Sequence, residues 1–322
     1  MATLSIWKDT YLDLDNYVPG TPASALFDIY HGGGLIYEGR SYRRPGAGTL
    51  FVRVNDICSD YLAQTLPPLN ANGWTGAPFV GTFAYDNPAQ ESWTFAMDWS
   101  YDAGHDAETD GFHDPIQDYV VPGMPVIFST MDEVTWTTYA PDGTVDDTDT
   151  YSSYGVPGNV VVNIGSGIGK VKFVQDLLGG DVEYKVRTDV CADYVLYYVN
   201  AFGGWDHLIV EGQPSERDAY KRNTFKRAYD NSDPENRGTV EYLNEITRSW
   251  TLRTGWLSDE QSRKMRHLLG SVQVYLYDLA TGTAHPVILT NSDAPVKTYK
   301  GEGAQLVRYE IETQLAREVV RR

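Results

Sequence analysis

The fold is decided by the stretch that begins Thr135-Trp136-Thr137-Thr138-Tyr139, turns at Pro141-Asp142-Gly143 and resumes at Thr148 to Tyr154. β-Branched and aromatic residues favour strands, and Pro-Asp-Gly favours a tight turn, so the stretch predicts a β-hairpin. Apolar runs then recur roughly every ten residues, a spacing typical of a β-sandwich or barrel. These runs are Val160 to Ile164, Val171 to Val174 and Val182 to Val186.

The N-terminal part of the chain repeats this pattern. Leu26 to Tyr30 and Leu35 to Gly39 flank Gly32-Gly33-Gly34. Glycine supplies the backbone freedom of a tight reversal, so a second hairpin is predicted here. Pro78 to Tyr85 and Ser92 to Trp99 add two predicted strands.

The C-terminal part is predicted to combine strands with one helix. Tyr194 to Val199 and His207 to Val210 flank Asn200 to Asp206, which predicts a hairpin with an aromatic tip, and Glu241 to Thr254 reads as a strand. In that strand Ile246, Trp250 and Leu252 share one face. Ser258 and Gln261 form a predicted capping box, ahead of Met265, Leu268, Leu269 and a closing Gly270.

We therefore predict a mainly β protein with two or three β-sandwich-like domains. The first covers residues 1–101, and residues 102–189 form either a second β domain or a continuation of the first. Residues 190–322 form a C-terminal α+β assembly domain with one short helix. Both cysteines, Cys58 and Cys191, lie in apolar stretches and are predicted to be buried thiols.

Charge is distributed unevenly along the chain. Residues 1–189 hold 9 Lys+Arg against 26 Asp+Glu, a net charge of −17, and residues 190–322 hold 17 against 18, a net charge of −1. The acidic part repels polyanions, so a nucleic-acid partner is not expected. No signal-peptide pattern and no run approaching ~20 apolar residues is present, so we expect no membrane partner.

No stretch carries a recognisable catalytic or cofactor motif, and we predict no catalytic, cofactor or metal residues. The loop 102–118 repeats aspartate every four residues and contains His105 and His113. It is interpreted as a solvated acidic loop, with a Ca²⁺ site as the alternative. Gly165 to Lys170 superficially resembles a phosphate-binding loop but lacks its spacing, so a turn is predicted.

Six residues are candidates for ligand or subunit contact. Phe202 and Trp205 can stack on a sugar ring or pack inside their hairpin. The other four candidates are basic residues. They are predicted either to lie on one side of a helix, where they can bind an acidic patch of a neighbouring subunit, or to be scattered along an exposed loop. Its members are Lys221, Arg222, Lys226 and Arg227.

Three blocks of sequence carry a resemblance to a known group of proteins. Ile36 to Gly46 with Val54 to Leu62, Tyr197 to Asp206, and Gly255 to Glu260 with Val274 to Leu276 resemble structural, tail-type proteins of phages and prophages that infect gut Bacteroidales. The resemblance implies a virion protein assembled in the host bacterial cytoplasm. It further implies a ring-forming homo-oligomer that acts as a distal-tail adaptor between the tail tube and the tail tip or fibres.

Two other functions stay open at this point. One is a carbohydrate-binding or adhesin module of a phage or bacterial surface apparatus, which would use exposed aromatic rings such as Trp205. The other is a polysaccharide-cleaving enzyme, which we rank last. It stays open because such chemistry needs only two well-placed carboxylates and the chain has 44 acidic residues.

Overall fold

The structure is a computed structural model that describes residues 3–5, 11–13, 24–31, 34–42, 51–53, 57, 66–74, 80–86, 92–98, 112–130, 133–152, 158–175, 181–226, 239–291, 306–316 and 319–321. Those residues form several multi-stranded sheets with one short helix, which confirms the predicted mainly β fold class. Cys58, Arg227 and most of the acidic loop 102–118 lie outside the described residues.

The chain divides into two compact units. The first contains Met1–Arg187 and Val199–Asp206, and the second contains Thr188–Tyr198 and His207–Arg322. The tip of the predicted hairpin over residues 194–210 therefore counts with the first unit. The division of residues 1–189 into 1–101 and 102–189 stays a prediction.

Four sheets are built from the strands that precede residue 187. The strand orders are β1-β8-β7-β3-β4, β10-β13-β6, β12-β11-β14-β15-β9 and β2-β5. The strands are β1 (Thr3–Ser5), β2 (Tyr11–Asp13), β3 (Ser24–His31), β4 (Gly34–Tyr42), β5 (Phe51–Arg53), β6 (Gly73–Trp74), β7 (Val80–Asp86), β8 (Ser92–Asp98), β9 (Tyr119–Val120), β10 (Pro125–Thr130), β11 (Val134–Tyr139), β12 (Val145–Tyr151), β13 (Gly158–Asn163), β14 (Lys170–Gln175) and β15 (Val182–Val186).

Both hairpins predicted in this part are present. β3 pairs antiparallel with β4, and β11 pairs antiparallel with β12 across the turn at residues 140–144. Burial alternates along β11, with Val134 and Trp136 inside, because successive side chains of a strand point to opposite faces. Between the sheets, the rings of Phe128 and Phe173 stack with centroids 4.5 Å apart. This face-to-face packing of β10 on β14 is a sandwich core.

The glycine-rich segment 165–170 is a turn, as predicted. Ile168 N–H donates to the Gly165 carbonyl at 3.2 Å, and Gly169 N–H donates to the Tyr139 carbonyl at 2.7 Å. A Cβ atom at Gly169 would lie 2.7 Å from Cα of Pro141. Glycine is therefore required here because two backbone segments approach closely, which explains the residue without any phosphate ligand.

We expect Gly169→Ala to destabilise the protein by about 1–3 kcal/mol, because the added methyl group overlaps backbone atoms of Pro141 that cannot rotate away. Gly167→Ala is the matched control in the same turn, since a Cβ there meets nothing within 4 Å. Urea unfolding of both variants measures the effect. Equal stability of the two variants would show that the close approach is not a constraint.

An eight-stranded sheet and the helix are built from the remaining residues. The strand order is β17-β16-β20-β21-β22-β19-β18, and β23 also pairs with β19. The elements are β16 (Tyr194–Val199), β17 (Trp205–Val210), β18 (Ser215–Lys226), β19 (Thr239–Arg253), α1 (Asp259–Leu269), β20 (Val274–Asp278), β21 (Thr283–Leu289), β22 (Glu310–Leu315) and β23 (Val319–Arg321).

Helix α1 begins with the predicted capping box. Ser258 Oγ accepts from Gln261 N–H at 3.2 Å, and Gln261 Oε1 accepts from Ser258 N–H at 2.9 Å. These bonds satisfy two backbone donors that the first turn would leave open. Met265 and Leu268 are buried on the predicted inner face. Among the described residues, no helix combines the length and the apolar character needed to cross a membrane.

Two expectations about the C-terminal part are corrected. Cys191 is exposed in the segment before β16, because the apolar run that suggested burial begins only at the strand itself. The basic stretch that contains Lys221, Arg222 and Lys226 is the edge strand β18, and not a helix or a loop. Pairing with β19 overrides its local sequence preference. The inward face predicted for β19 is confirmed, since Ile246, Trp250 and Leu252 are buried.

Candidate functional site

The six predicted contact residues fall in two places. Phe202 and Trp205 lie at the tip of the β16–β17 hairpin, and Lys221, Arg222 and Lys226 lie on β18. Arg227 lies outside the described residues. The tip residues belong to the first unit and the basic residues to the second, so the two places are separate candidates.

The hairpin tip is organised by the side chain of Asn200. Its Oδ1 accepts from the backbone N–H of Phe202 at 2.9 Å and of Gly204 at 3.1 Å. Its Nδ2 donates to the Phe112 carbonyl at 2.7 Å and to Asp206 Oδ2 at 2.6 Å. The carboxamide thus makes four hydrogen bonds, which is its full capacity. Because Asn200 is completely buried, each of these bonds replaces one with water.

Two glycines follow Asn200 for separate reasons. Gly203 has a φ of 88°, in the left-handed region that side chains rarely adopt. Gly204 lies so close to the Phe112 carbonyl that a Cβ atom would collide with it. The turn sequence therefore fits a segment that is pressed against other backbone, not one that is displayed to solvent.

Trp205 is 0% exposed, so of the two alternatives for its ring, packing inside the protein and stacking on a ligand, only the first fits. Its backbone N–H donates to Ser129 Oγ at 2.9 Å, and Ser129 Oγ donates to Asn159 Oδ1 at 2.7 Å. Phe202 is half-buried. Trp205 therefore has a structural role at this tip, as the packing alternative predicted.

His113 connects the tip to the sandwich strands. Its Nδ1 lies 3.3 Å from Asp206 Oδ1, and its Nε2 lies 2.9 Å from the backbone nitrogen and 3.0 Å from the carbonyl oxygen of Ser129. The ring also stacks on Phe128, with centroids 4.0 Å apart. These contacts fit an imidazole that donates from Nδ1 to the carboxylate.

Serine, histidine and aspartate meet here, but their geometry differs from that of a hydrolase triad. A triad requires the serine hydroxyl to donate to the histidine, whereas His113 contacts only the backbone of Ser129. The Ser129 hydroxyl is already engaged by Asn159 and by the Trp205 N–H. Ser129 and Asp206 are buried, and their polar atoms are bonded within the network, so we assign the network a structural role.

Tyr184 is a further buried group whose ionisation is affected by this network. Burial raises the pKa of its hydroxyl well above the ordinary value, and the negative charge of Asp206 raises the pKa further. The folded protein consequently holds Tyr184 in its neutral form.

We expect Asn200→Asp to cost about 3 kcal/mol or more at pH 7, because it places a second carboxylate against Asp206 and removes the donor to Phe112. Two adjacent carboxylates hold a proton in the native state that the unfolded chain releases, so the loss should shrink as pH falls. Urea unfolding at pH 7 and pH 5 measures both effects. Asn163→Asp, at an exposed amide that bonds the Ala71 carbonyl, is the control and should change stability by about 0.5 kcal/mol or less.

Tyr184→Phe should flatten the loss of stability at alkaline pH. The unfolded chain releases the tyrosine proton at pH ~10, while the folded state retains it. The free energy of unfolding therefore falls as pH rises through this range. Removing the hydroxyl should reduce the slope by up to about 1.4 kcal/mol per pH unit. Unfolding between pH 9 and 11 measures it, with Tyr220→Phe at an exposed ring as control. An unchanged slope in Tyr184→Phe would contradict the assignment.

The second candidate site is the paired strands β18 and β19, which we call the ribbon. They pair antiparallel from Ser215 with Thr251 to Lys226 with Thr239. β22 and β23 flank β19 only from residue 244 onward. Within the described part of the chain, residues 223–226 and 239–243 are thus paired only with each other, and form the distal ribbon.

Aromatic and basic side chains are exposed together on the ribbon. Tyr220, Phe225 and Tyr242 are 56%, 46% and 57% exposed, and the rings of Phe225 and Tyr242 lie 6.0 Å apart. Lys221 Nζ lies 2.8 Å from Glu245 Oε2 and is 73% exposed. Arg222 Nη1 lies 3.4 Å from Glu241 Oε1. Exposed ion pairs of this type contribute about 0–1 kcal/mol, so the ribbon is held mainly by its strand pairing.

Sequence reasoning missed the principal residues of both places. Asn200, His113 and Ser129 are far apart in sequence. Of their network, the sequence indicated only the hairpin tip over residues 200–206. Tyr220 and Phe225 did carry a signal, because they are aromatic residues in the otherwise largely polar strand β18, whereas Tyr242 lies among several apolar residues of β19.

The chain matches no protein-family model, and no curated protein is similar to it. Within the described residues, no group of three or more His, Cys, Asp or Glu side chains is placed to hold a metal ion.

Proposed function

We propose that this chain is a structural protein that assembles with copies of itself. The observation that carries the proposal is the ribbon, an edge hairpin with three large aromatic side chains between 46% and 57% exposed. Exposed aromatic residues grouped on one element are typical of protein interfaces. Their burial between subunits would stabilise an assembly.

The construction of the distal ribbon supports the same proposal. Among the described residues, no further strand pairs with the distal ribbon, and an isolated two-stranded hairpin is marginally stable in water whereas added neighbours stabilise it. In the same part of the chain β18 lies at the end of its sheet, and such an edge can receive a further strand. A neighbouring subunit would supply both the packing and the missing hydrogen bonds.

The resemblance to phage tail-type proteins suggests where such an assembly would act. In this proposal the subunits form a ring near the distal end of a phage tail, between the tail tube and the tip or fibre proteins. The protein would be made in the host bacterial cytoplasm and end in the virion. Its role would be mechanical, with no reaction catalysed.

A carbohydrate-binding module is the weaker alternative. Its principal residue was Trp205, and a fully buried indole presents no face to a sugar. Phe202 alone, half-buried at the same tip, is a small basis for glycan recognition.

Phe225→Ser combined with Tyr242→Ser should lower the mass of the assembled protein in solution, because it removes the exposed aromatic pair from the distal ribbon. The wild-type protein is expected to form closed rings in negative-stain electron microscopy, with a matching mass by light scattering. Thermal unfolding should change little, since both side chains are already exposed.

Val272→Ser is the control, because Val272 is 58% exposed but lies away from the ribbon. It should leave the assembled mass unchanged. A wild-type protein that stays monomeric at high concentration would contradict self-assembly, and a double variant that still forms rings would contradict the role of the aromatic pair.

A further inference from the structure

We infer that β18 of one copy adds to the open edge of β12 of a second copy, so that successive subunits are joined head to tail. This inference rests on the proposed self-assembly and names the two surfaces that meet. It concerns two strands that each lie at the end of their own sheet among the strands that the structure describes. Strand addition to such an edge gives main-chain hydrogen bonds to both partners.

The charges of the two edges are complementary. β12 carries Asp146, Asp147 and Asp149 and no basic residue, and its side chains from Val145 to Thr150 are all exposed. The outer part of β18, residues 219–226, carries Lys221, Arg222 and Lys226 and no acidic residue. Glu241 and Glu245 on β19 offset two of these positive charges. The ion pairs are exposed and therefore weak enough to exchange for carboxylates of a neighbour.

The backbone of β12 shows which groups would receive the second strand. Thr148 N–H donates to the Asp147 side chain at 2.9 Å, and Thr150 N–H donates to the Asp149 side chain at 2.8 Å. Alternate N–H groups of an edge strand point away from its partner, so these two point away from β11. Each is capped by the carboxylate that precedes it.

These caps give the edge selectivity. An uncharged strand would have to displace two carboxylates and leave them unpaired, which is unfavourable. Carbonyl groups of an added β18 would take over the hydrogen bonds to the two N–H groups. The released carboxylates of β12 would then pair with the Lys and Arg side chains of β18. The carboxylates then exchange backbone N–H groups for ionic partners, so the exchange is favourable for a basic strand.

Like edges repel each other under this arrangement. Two β12 strands would bring six aspartates together, and two β18 strands joined through their outer parts would bring the basic residues of both copies together. The permitted contact joins unlike surfaces, which is a heterologous contact. Repetition of a heterologous contact gives a ring when the rotation closes.

Charge reversal tests the pairing directly. Variant A carries Asp147→Lys and Asp149→Lys, and variant B carries Arg222→Glu and Lys226→Glu. Each alone should raise the protein concentration for half-assembly at least about tenfold, because one edge then repels the other. A chain with all four changes should assemble again, since the two reversed edges are complementary. An equimolar mixture of A and B should assemble with alternating subunits, because the unchanged β18 of A meets the unchanged β12 of B and the reversed β18 of B meets the reversed β12 of A.

Asp118→Lys with Glu312→Lys makes the same change in net charge as variant A at exposed positions outside β12 and β18, and should leave assembly unchanged. Thr148→Pro provides an independent probe of the backbone. It removes one outward N–H and, on the β11 side, only the exposed 3.3 Å hydrogen bond from the Thr148 hydroxyl to Thr137 Oγ1. The fold should therefore survive while assembly weakens by a similar factor.

The outcomes separate this inference from the proposed function. If the wild type assembles and neither A, B nor Thr148→Pro alters its mass, the strand pairing is wrong and self-assembly stands. If A and B weaken assembly but the four-change chain does not recover, the two edges do not meet each other. If the wild type stays monomeric, the proposed function fails first.

Discussion

The buried carboxamide of Asn200 is the interaction on which the hairpin tip and its surroundings depend. The chain reverses direction there among mostly buried residues, so most of its backbone polar groups need partners within the protein. One side chain satisfies two backbone N–H groups, one carbonyl and one carboxylate. An asparagine fits because it has donors and acceptors on one short, rigid group.

The position of the Asn200 side chain determines the contacts of Asp206 and His113 beside it. Asp206 accepts from the Asn200 amide and faces His113, which compensates a carboxylate that is almost completely buried. His113 in turn stacks on Phe128, and Phe128 stacks on Phe173 of the facing sheet. The polar network and the aromatic core are therefore one continuous arrangement. The buried carboxylate of Asp206 is tolerated because the Asn200 amide, the Asp114 N–H and the His113 ring all contact its oxygens.

The edges of the sheets follow a different logic from the core. Both β12 and β18 are strongly charged, and charge on an edge strand prevents unselective strand addition. Because the two strands carry opposite charges, the pairing of β12 with β18 is favourable, whereas the pairings of β12 with β12 and of β18 with β18 are unfavourable. Selective assembly and resistance to aggregation then have the same physical source, which is the desolvation and pairing of a few exposed charges.

Features that depend on local preferences and composition could be predicted from the amino-acid order alone. These include the β class, the hairpins at β3–β4 and β11–β12, the capping box at Ser258 and Gln261, and the inward face of β19. The burial of Trp205, the position of Lys221 on a strand, and the contact of His113 with Asp206 across 93 residues became visible only in the folded chain. Those outcomes depend on which distant segments pack together, and free energies of packing and desolvation exceed the local preferences of a few residues.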